Sequence, residues 1–106
     1  MEVLIEGRDF IVTEDVKSHI YAKLNKLSFV EGRVTKIHFF ISVTPTSSVL
    51  CEMDVFVDHT KIFAQHEHHD WKIAITDTIN KAHDLILKER KKKKTSRLRE
   101  ARRKRQ

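Results

Sequence analysis

From Thr35 to Val43 the side chains alternate: Ile37, Phe39, Ile41 and Val43 share one face of an extended chain, and Lys36, His38, Phe40 and Ser42 share the other. Thr44-Pro45-Thr46-Ser47-Ser48 interrupts the run with a proline and turn-favouring side chains. The alternation then resumes, with Val49, Cys51, Met53, Val55 and Val57 opposite Leu50, Glu52, Asp54, Phe56 and Asp58. After a turn at Asp58-His59-Thr60, a further strand over Lys61–Glu67 points Ile62 and Ala64 inward and Phe63 and Gln65 outward. Both connections are short, which predicts two successive hairpins. Near the N-terminus, residues 2–7 read as a strand stopped by Gly7, whose permissive backbone suits a turn or bulge.

The period changes from two to between three and four in two places. Thr13 with Glu14 and Asp15 supplies a capping hydroxyl and two carboxylates for a helix start, and Val16, Ile20, Leu24 and Leu27 follow at helical spacing. This first helix is expected to end before Gly32. Asp70 is placed to cap a second helix, in which Trp71, Ala74, Ile75, Thr78, Ile79, Ala82, Leu85 and Ile86 form one apolar stripe. The predicted architecture is an α+β fold in the order β-α-β-β-β-α, a four-stranded sheet with two helices packed on one face and a basic C-terminal extension. Residues 1–90 would form the folded domain and residues 91–106 a basic tail that extends the helix, frays, or orders on binding.

A length of 106 residues suits a single domain. No stretch approaches the roughly 20 apolar residues of a membrane span or combines a basic start with a sustained apolar run, and the lone Cys51 excludes a disulfide framework. These features predict an intracellular, cytoplasmic protein with no membrane partner. Cys51 shares its face with Val49 and Met53 and reads as a small buried hydrophobe.

The net charge of +6 conceals an asymmetry. Residues 1–87 carry nine Lys or Arg against thirteen Asp or Glu, whereas residues 88–106 carry twelve basic residues and two acidic ones. A segment that basic is drawn to a polyanion by counterion release, which points to nucleic acid. With only Leu98 and Ala101 as apolar residues, it has too little to insert into a lipid surface. At helical spacing Lys81, Lys88, Lys91 and Lys92 share a side and can track a phosphate backbone; helix one adds its own lysines.

Two other constellations need weighing. His59, His66, His68 and His69 fall within eleven residues, and an extended chain puts His66 and His68 on one side as a two-ligand metal pair. No metal-site spacing such as H-E-x-x-H accompanies them, so surface histidines beside a helix start are the better account. Phe40, Phe56 and Phe63, with Leu4 and His38, project to the sheet face away from the helices. They resemble a base-stacking platform, but Glu2, Glu6, Glu52, Asp54 and Asp58 on the same face repel phosphate, so a packing patch or protein contact fits at least as well. No nucleophile elbow, Gly-rich phosphate loop or small-molecule cofactor motif occurs, and catalysis has no positive signal.

The order of elements, together with particular residues, resembles the short ribosome hibernation-promoting factor and ribosome-associated inhibitor A family of bacteria. Ile5-Glu6-Gly7-Arg8-Asp9-Phe10-Ile11-Val12-Thr13-Glu14 is similar to the family's strand, Gly-Arg turn and Thr-Glu helix opening. Lys23 and Lys26-Leu27 sit where the family has its A-K-x-x-K-L pattern, and Asp70-Trp71-Lys72-Ile73-Ala74-Ile75 is similar to its D-M-Y-A-A-I segment. Trp71 and Lys72 replace the usual Met and Tyr, Asp58-His59-Thr60 an Asn-Gly hairpin, and Asp84 an arginine. The resemblance implies a non-enzymatic protein without cofactor or metal that binds rRNA in the mRNA and tRNA channel of the small ribosomal subunit and silences idle 70S ribosomes, single or paired. The residues it implies for RNA binding, with those the charge pattern supplies, are Arg8, Lys23, Lys26, Lys81, Lys88, Arg90, Lys91 and Lys92. The alternatives are a stand-alone double-stranded RNA-binding domain, which shares the α-β-β-β-α order, and a histidine-metal hydrolase.

Overall fold

The structure is a computed structural model that describes residues 1–104, with side-chain surroundings described through Glu89. The chain forms β1 (Glu2–Arg8), α1 (Glu14–Leu24), a 3-10 segment (Asn25–Arg33), β2 (Val34–Val43), β3 (Val49–Val57), β4 (Thr60–His68) and α2 (Trp71–Lys104). The sheet order is β1-β2-β3-β4. β1 pairs parallel to β2 across the α1 crossover, and β2, β3 and β4 form the expected antiparallel meander. The predicted α+β layout, with both helices on one sheet face, is what the chain adopts.

Burial follows the predicted alternation. Ile37, Phe39 and Ile41 of β2, Cys51, Met53 and Val55 of β3, and Ile62 and Ala64 of β4 are buried against Val16 and Ile20 of α1 and Ala74, Ile75, Ile79, Ala82 and Ile86 of α2. Thr78 adds a polar tie inside this core, its hydroxyl lying 2.7 Å from the Ala74 carbonyl oxygen and 3.3 Å from that of Cys51. The caps are those expected: Val16 N donates to Thr13 Oγ1 at 3.3 Å, and Lys72 N donates to Asp70 Oδ1 at 2.9 Å.

Several expectations are corrected. The first helix does not continue in α form through Leu27; it tightens after Leu24 into the 3-10 segment. Leu24, Leu27 and Val30 are all buried and three residues apart, and three residues per turn is the period that keeps such a row on one stripe. Gly7 does not stop β1, which pairs through Arg8, and its φ is not positive. It is required instead by close approach, because a β-carbon there would collide with the Phe10 carbonyl oxygen as the chain doubles back. The left-handed residue of that bend is Asp9, at φ 55°. Val43, assigned to the core face, is 40 % exposed because β2 runs past the cover of the helices. β4 begins at Thr60 and ends at His68, one residue longer at each end than predicted.

Asp58 is not part of the open sheet face. It and His59 adopt φ of 50° and 63°, the two left-handed residues of a tight hairpin turn, and Asp58 takes both Nε and Nη2 of Arg33 as a bidentate partner, the former at 2.8 Å. The turn from β2 to β3 is closed by Thr44 N donating to the Ser48 carbonyl at 2.8 Å, with Ser47 left-handed at φ 64°.

Candidate nucleic-acid interface

The side chains that join the helices show how those helices lie. His19 Nε2 is 3.1 Å from the Lys72 carbonyl oxygen and 2.9 Å from Thr76 Oγ1, Lys26 Nζ donates to Asn80 Oδ1, and the Phe29 and His83 rings meet edge to face at 5.3 Å. Partner numbers rise together on both sides, so α1 with its 3-10 continuation runs alongside α2 in the same direction. Between them opens a groove lined by Ala22, Lys23, Asn25, Lys26, Thr76, Ile79 and Asn80. Lys23 and Lys26, assigned from the helix-one pattern, therefore stand together on one wall of a surface groove, both exposed. Lys26 spends one of its three N–H donors on Asn80, which fixes its position and leaves the others for an incoming acceptor.

The other assigned cations lie elsewhere. Arg8 is exposed at the last residue of β1, the sheet edge away from β4. Lys81 lies on the opposite flank of α2, where Nζ donates to the Gln65 carbonyl of the β4 edge at 3.0 Å and sits 3.0 Å from His66 Nδ1. Lys88, two turns on and exposed, shares that flank by helical period. Arg90, Lys91 and Lys92, with the rest of the basic tail, fall outside the residues whose side chains are described. Sequence reasoning missed the polar partners on α2, Thr76 and Asn80, and His19 on α1. Thr76 and Asn80 are four apart and lie off the apolar stripe, and that spacing is the signal available for them.

Of the four clustered histidines, His66, His68 and His69 are tied to their neighbours, and His59 is exposed in the hairpin turn. His66 Nε2 lies 3.2 Å from Asp77 Oδ2, its ring stacks on His68 at 6.5 Å, and His69 Nδ1 is 3.2 Å from Ser48 Oγ. No group of three or more His, Cys, Asp or Glu side chains placed to hold a metal ion occurs among the described residues. Cys51 is fully buried, and burial pushes its thiol up to about 11, opposed by the Thr78 hydrogen bond and assisted by the Glu52 charge. A thiol so protonated is no nucleophile. Among the described residues no helix is long and apolar enough to cross a membrane.

Three comparisons bear on this arrangement. Residues 3–94 match the family model described as Sigma 54 modulation protein / S30EA ribosomal protein. No curated protein matches the sequence directly. Among solved structures, a ribosomal subunit interface protein from Coxiella burnetii superposes with a TM-score of 0.79 at 16 % identity, covering 85 % of this chain and 98 % of that one. The N-terminal domain of Protein Y from Thermus thermophilus superposes with a TM-score of 0.71 at 18 % identity, covering 81 % and 96 % of the two chains. At these identities the superpositions establish a shared fold.

Proposed function

Because the chain belongs to the sigma 54 modulation protein / S30EA ribosomal protein family, we propose that it acts in the cytoplasm as a ribosome-silencing protein, binding rRNA of the small subunit in the channel that mRNA and tRNA use. The mechanism is occlusion. A folded body held by phosphate contacts excludes competing RNA by volume and needs no covalent step, cofactor or metal. The observation that carries this reading is the pairing of Lys23 and Lys26 on the groove between parallel helices, with Lys26 fixed by Asn80. Two ammonium groups three residues apart, one of them preorganised, suit neighbouring phosphates of a structured RNA, whose recognition rests on shape and backbone. Lys88 adds an exposed cation on α2, the basic sequence that follows it would add further charge for phosphate, and Arg8 would make a separate contact at the sheet edge. Binding extends to the 70S ribosome, alone or in pairs, insofar as the same channel stays accessible there.

Sedimentation with purified small subunits, with and without labelled initiator tRNA, tests the proposal. The protein should pellet with the subunits and reduce tRNA retention, and Lys23→Glu/Lys26→Glu should weaken both effects at least tenfold. Failure to pellet in dilute buffer sinks the reading. Preference for a plain RNA duplex over subunits would assign the chain instead as a stand-alone double-stranded RNA-binding domain.

A further inference from the structure

The sheet face opposite the helices is uncovered, and its side chains follow a pattern that phosphate recognition does not explain. The register places Glu6, Phe40, Glu52 and Gln65 in one row across the four strands, and Leu4, His38, Asp54 and Phe63 in the next. These two central rows hold three carboxylates and no lysine or arginine. The cations of this face, Arg8, Lys36 and Lys61, stand on the outer rows. Phe40 is thus flanked on both sides by carboxylates, and Phe63 has Asp54 beside it. Strands lie about 4.8 Å apart, so each ring and its carboxylate neighbour reach the same incoming group.

Phe40, on the interior strand β2, and Phe63, on the edge strand β4, are 40 % and 47 % exposed, two open phenyl rings on one sheet face. Two polar atoms of this face are also unsatisfied. His38 Nε2, 3.5 Å from Glu6 Oε1, and Asp54 Oδ1, 3.7 Å from Lys61 Nζ, are shielded from solvent and lack a hydrogen-bond partner among the described residues. Asp54 is partly exposed beside the open ring of Phe63, and its ion pair to Lys61 is too long for a hydrogen bond, so its carboxylate keeps acceptor capacity for a donor that displaces Lys61 and also stacks.

We propose that this face docks an extended, arginine- and lysine-rich segment of a partner protein, with guanidinium or ammonium groups over Phe40 and Phe63 and their N–H donors on Glu6, Glu52 and Asp54. The charge complementarity selects the partner. A cation over a phenyl ring is attracted to its face, and a carboxylate at the ring's edge adds a charge-assisted hydrogen bond that guanidinium geometry satisfies best. The same three carboxylates repel an RNA backbone. The molecule then has two faces of opposite preference, cationic helices for RNA and an acidic aromatic sheet for basic protein. This assignment is independent of the ribosome reading, because it concerns the other side of the sheet.

The test uses the full chain and a fluorescein-labelled peptide of five Gly-Arg repeats, with binding followed by fluorescence anisotropy and mapped by amide chemical-shift changes. Saturable binding with shifts confined to β1–β4 is expected. Glu52→Gln/Asp54→Asn should weaken it at least fivefold, and Phe40→Leu, which keeps apolar bulk but removes the ring, by about threefold. Glu52→Gln/Asp54→Asn is isosteric and Phe40→Leu alters a half-exposed ring, and unchanged thermal melting would show that both fold. Lys23→Glu/Lys26→Glu should bind the peptide at least as tightly as the parent, so loss of subunit binding and loss of peptide binding are separately read. Shifts on the helices, or variants that bind like the parent, overturn the proposal. Tighter binding of a ten-nucleotide oligouridine on Glu52→Gln/Asp54→Asn, with shifts on the same face, would reassign it to RNA. Self-association abolished by Glu52→Gln would reassign it to a second copy.

Discussion

At the scale of single residues, Cys51 and Gly7 show how the surroundings decide what a side chain does. Cys51 lies on the buried face of β3 with no exposure, and its thiol is pushed up to about 11 chiefly by burial. The native state therefore keeps a proton that the unfolded chain releases near its ordinary value of 9.0. The sign follows from linkage: the stabilisation is complete below about pH 9 and is lost as pH rises from there towards 11. Two units of displacement correspond to about 2–3 kcal/mol at most. Urea unfolding at pH 8 and at pH 10.5 should show a fall in stability that is smaller in Cys51→Ala, and a thiol reagent at pH 8 should label the native parent only at the rate of unfolding. Rapid labelling of the folded chain would contradict the burial. Cys51 was legible in advance because strict alternation with Val49 and Met53 fixes its face. The role of Gly7 was not, because the Phe10 carbonyl that excludes a β-carbon is brought there by a bend at Asp9, and no local pattern records which atoms a bend will bring together.

Among the elements, α1 and α2 set their lysines in different surroundings. Lys81 spans to the β4 edge, where it satisfies a carbonyl that an edge strand otherwise leaves to solvent and holds His66 against Asp77. The Lys23 side chain, in the groove, makes no hydrogen bond or ion pair among the described residues and is free in position to meet phosphate. Lys81→Met should therefore lower stability by about 0.5–1 kcal/mol, a few degrees in melting temperature, while small-subunit affinity stays within about twofold. Lys23→Glu should do the reverse. A large affinity loss at Lys81 with unchanged melting would show that its contact to β4 yields to RNA. Helical spacing puts Lys81 and Lys88 on one side of α2, but that side faces the sheet edge only because α2 packs back along β4, a tertiary arrangement that spacing does not record. The same limit explains the rest of the element scale. Alternation assigned faces to β2, β3 and β4 and short turns assigned their neighbours, whereas the parallel place of β1 depends on a crossover that leaves no periodic trace. The 3-10 segment was visible in retrospect as Leu24, Leu27 and Val30 at strict threes, a row that an α-helix cannot keep on one side.

For the molecule as a whole, the distribution of charge sets how binding depends on solution conditions. The folded residues through Leu87 carry more acid than base, and the excess of cations comes almost entirely from residues 88–106. Among the described residues none of the hydrophobic core lies beyond Ile86, so removing residues 91–106 takes away charge and keeps every one of those core residues. If the tail and α2 together neutralise about six phosphates, log affinity for the small subunit should fall with log salt at a slope near 4 to 5, from roughly 0.7–0.9 per phosphate released. The chain ending at Arg90 should lose more than half of that slope, and its remaining affinity should depend on Lys23 and Lys26. Sedimentation across a series of salt concentrations measures both quantities. An unchanged slope would remove the tail from RNA contact and leave the helix groove as the whole electrostatic interface. A slope near zero with affinity retained would mean that shape, and not the release of counterions, holds the protein in place. Because the acidic central rows of the sheet lie on the far side from the groove, raising salt should weaken peptide docking and RNA docking independently, each with its own slope.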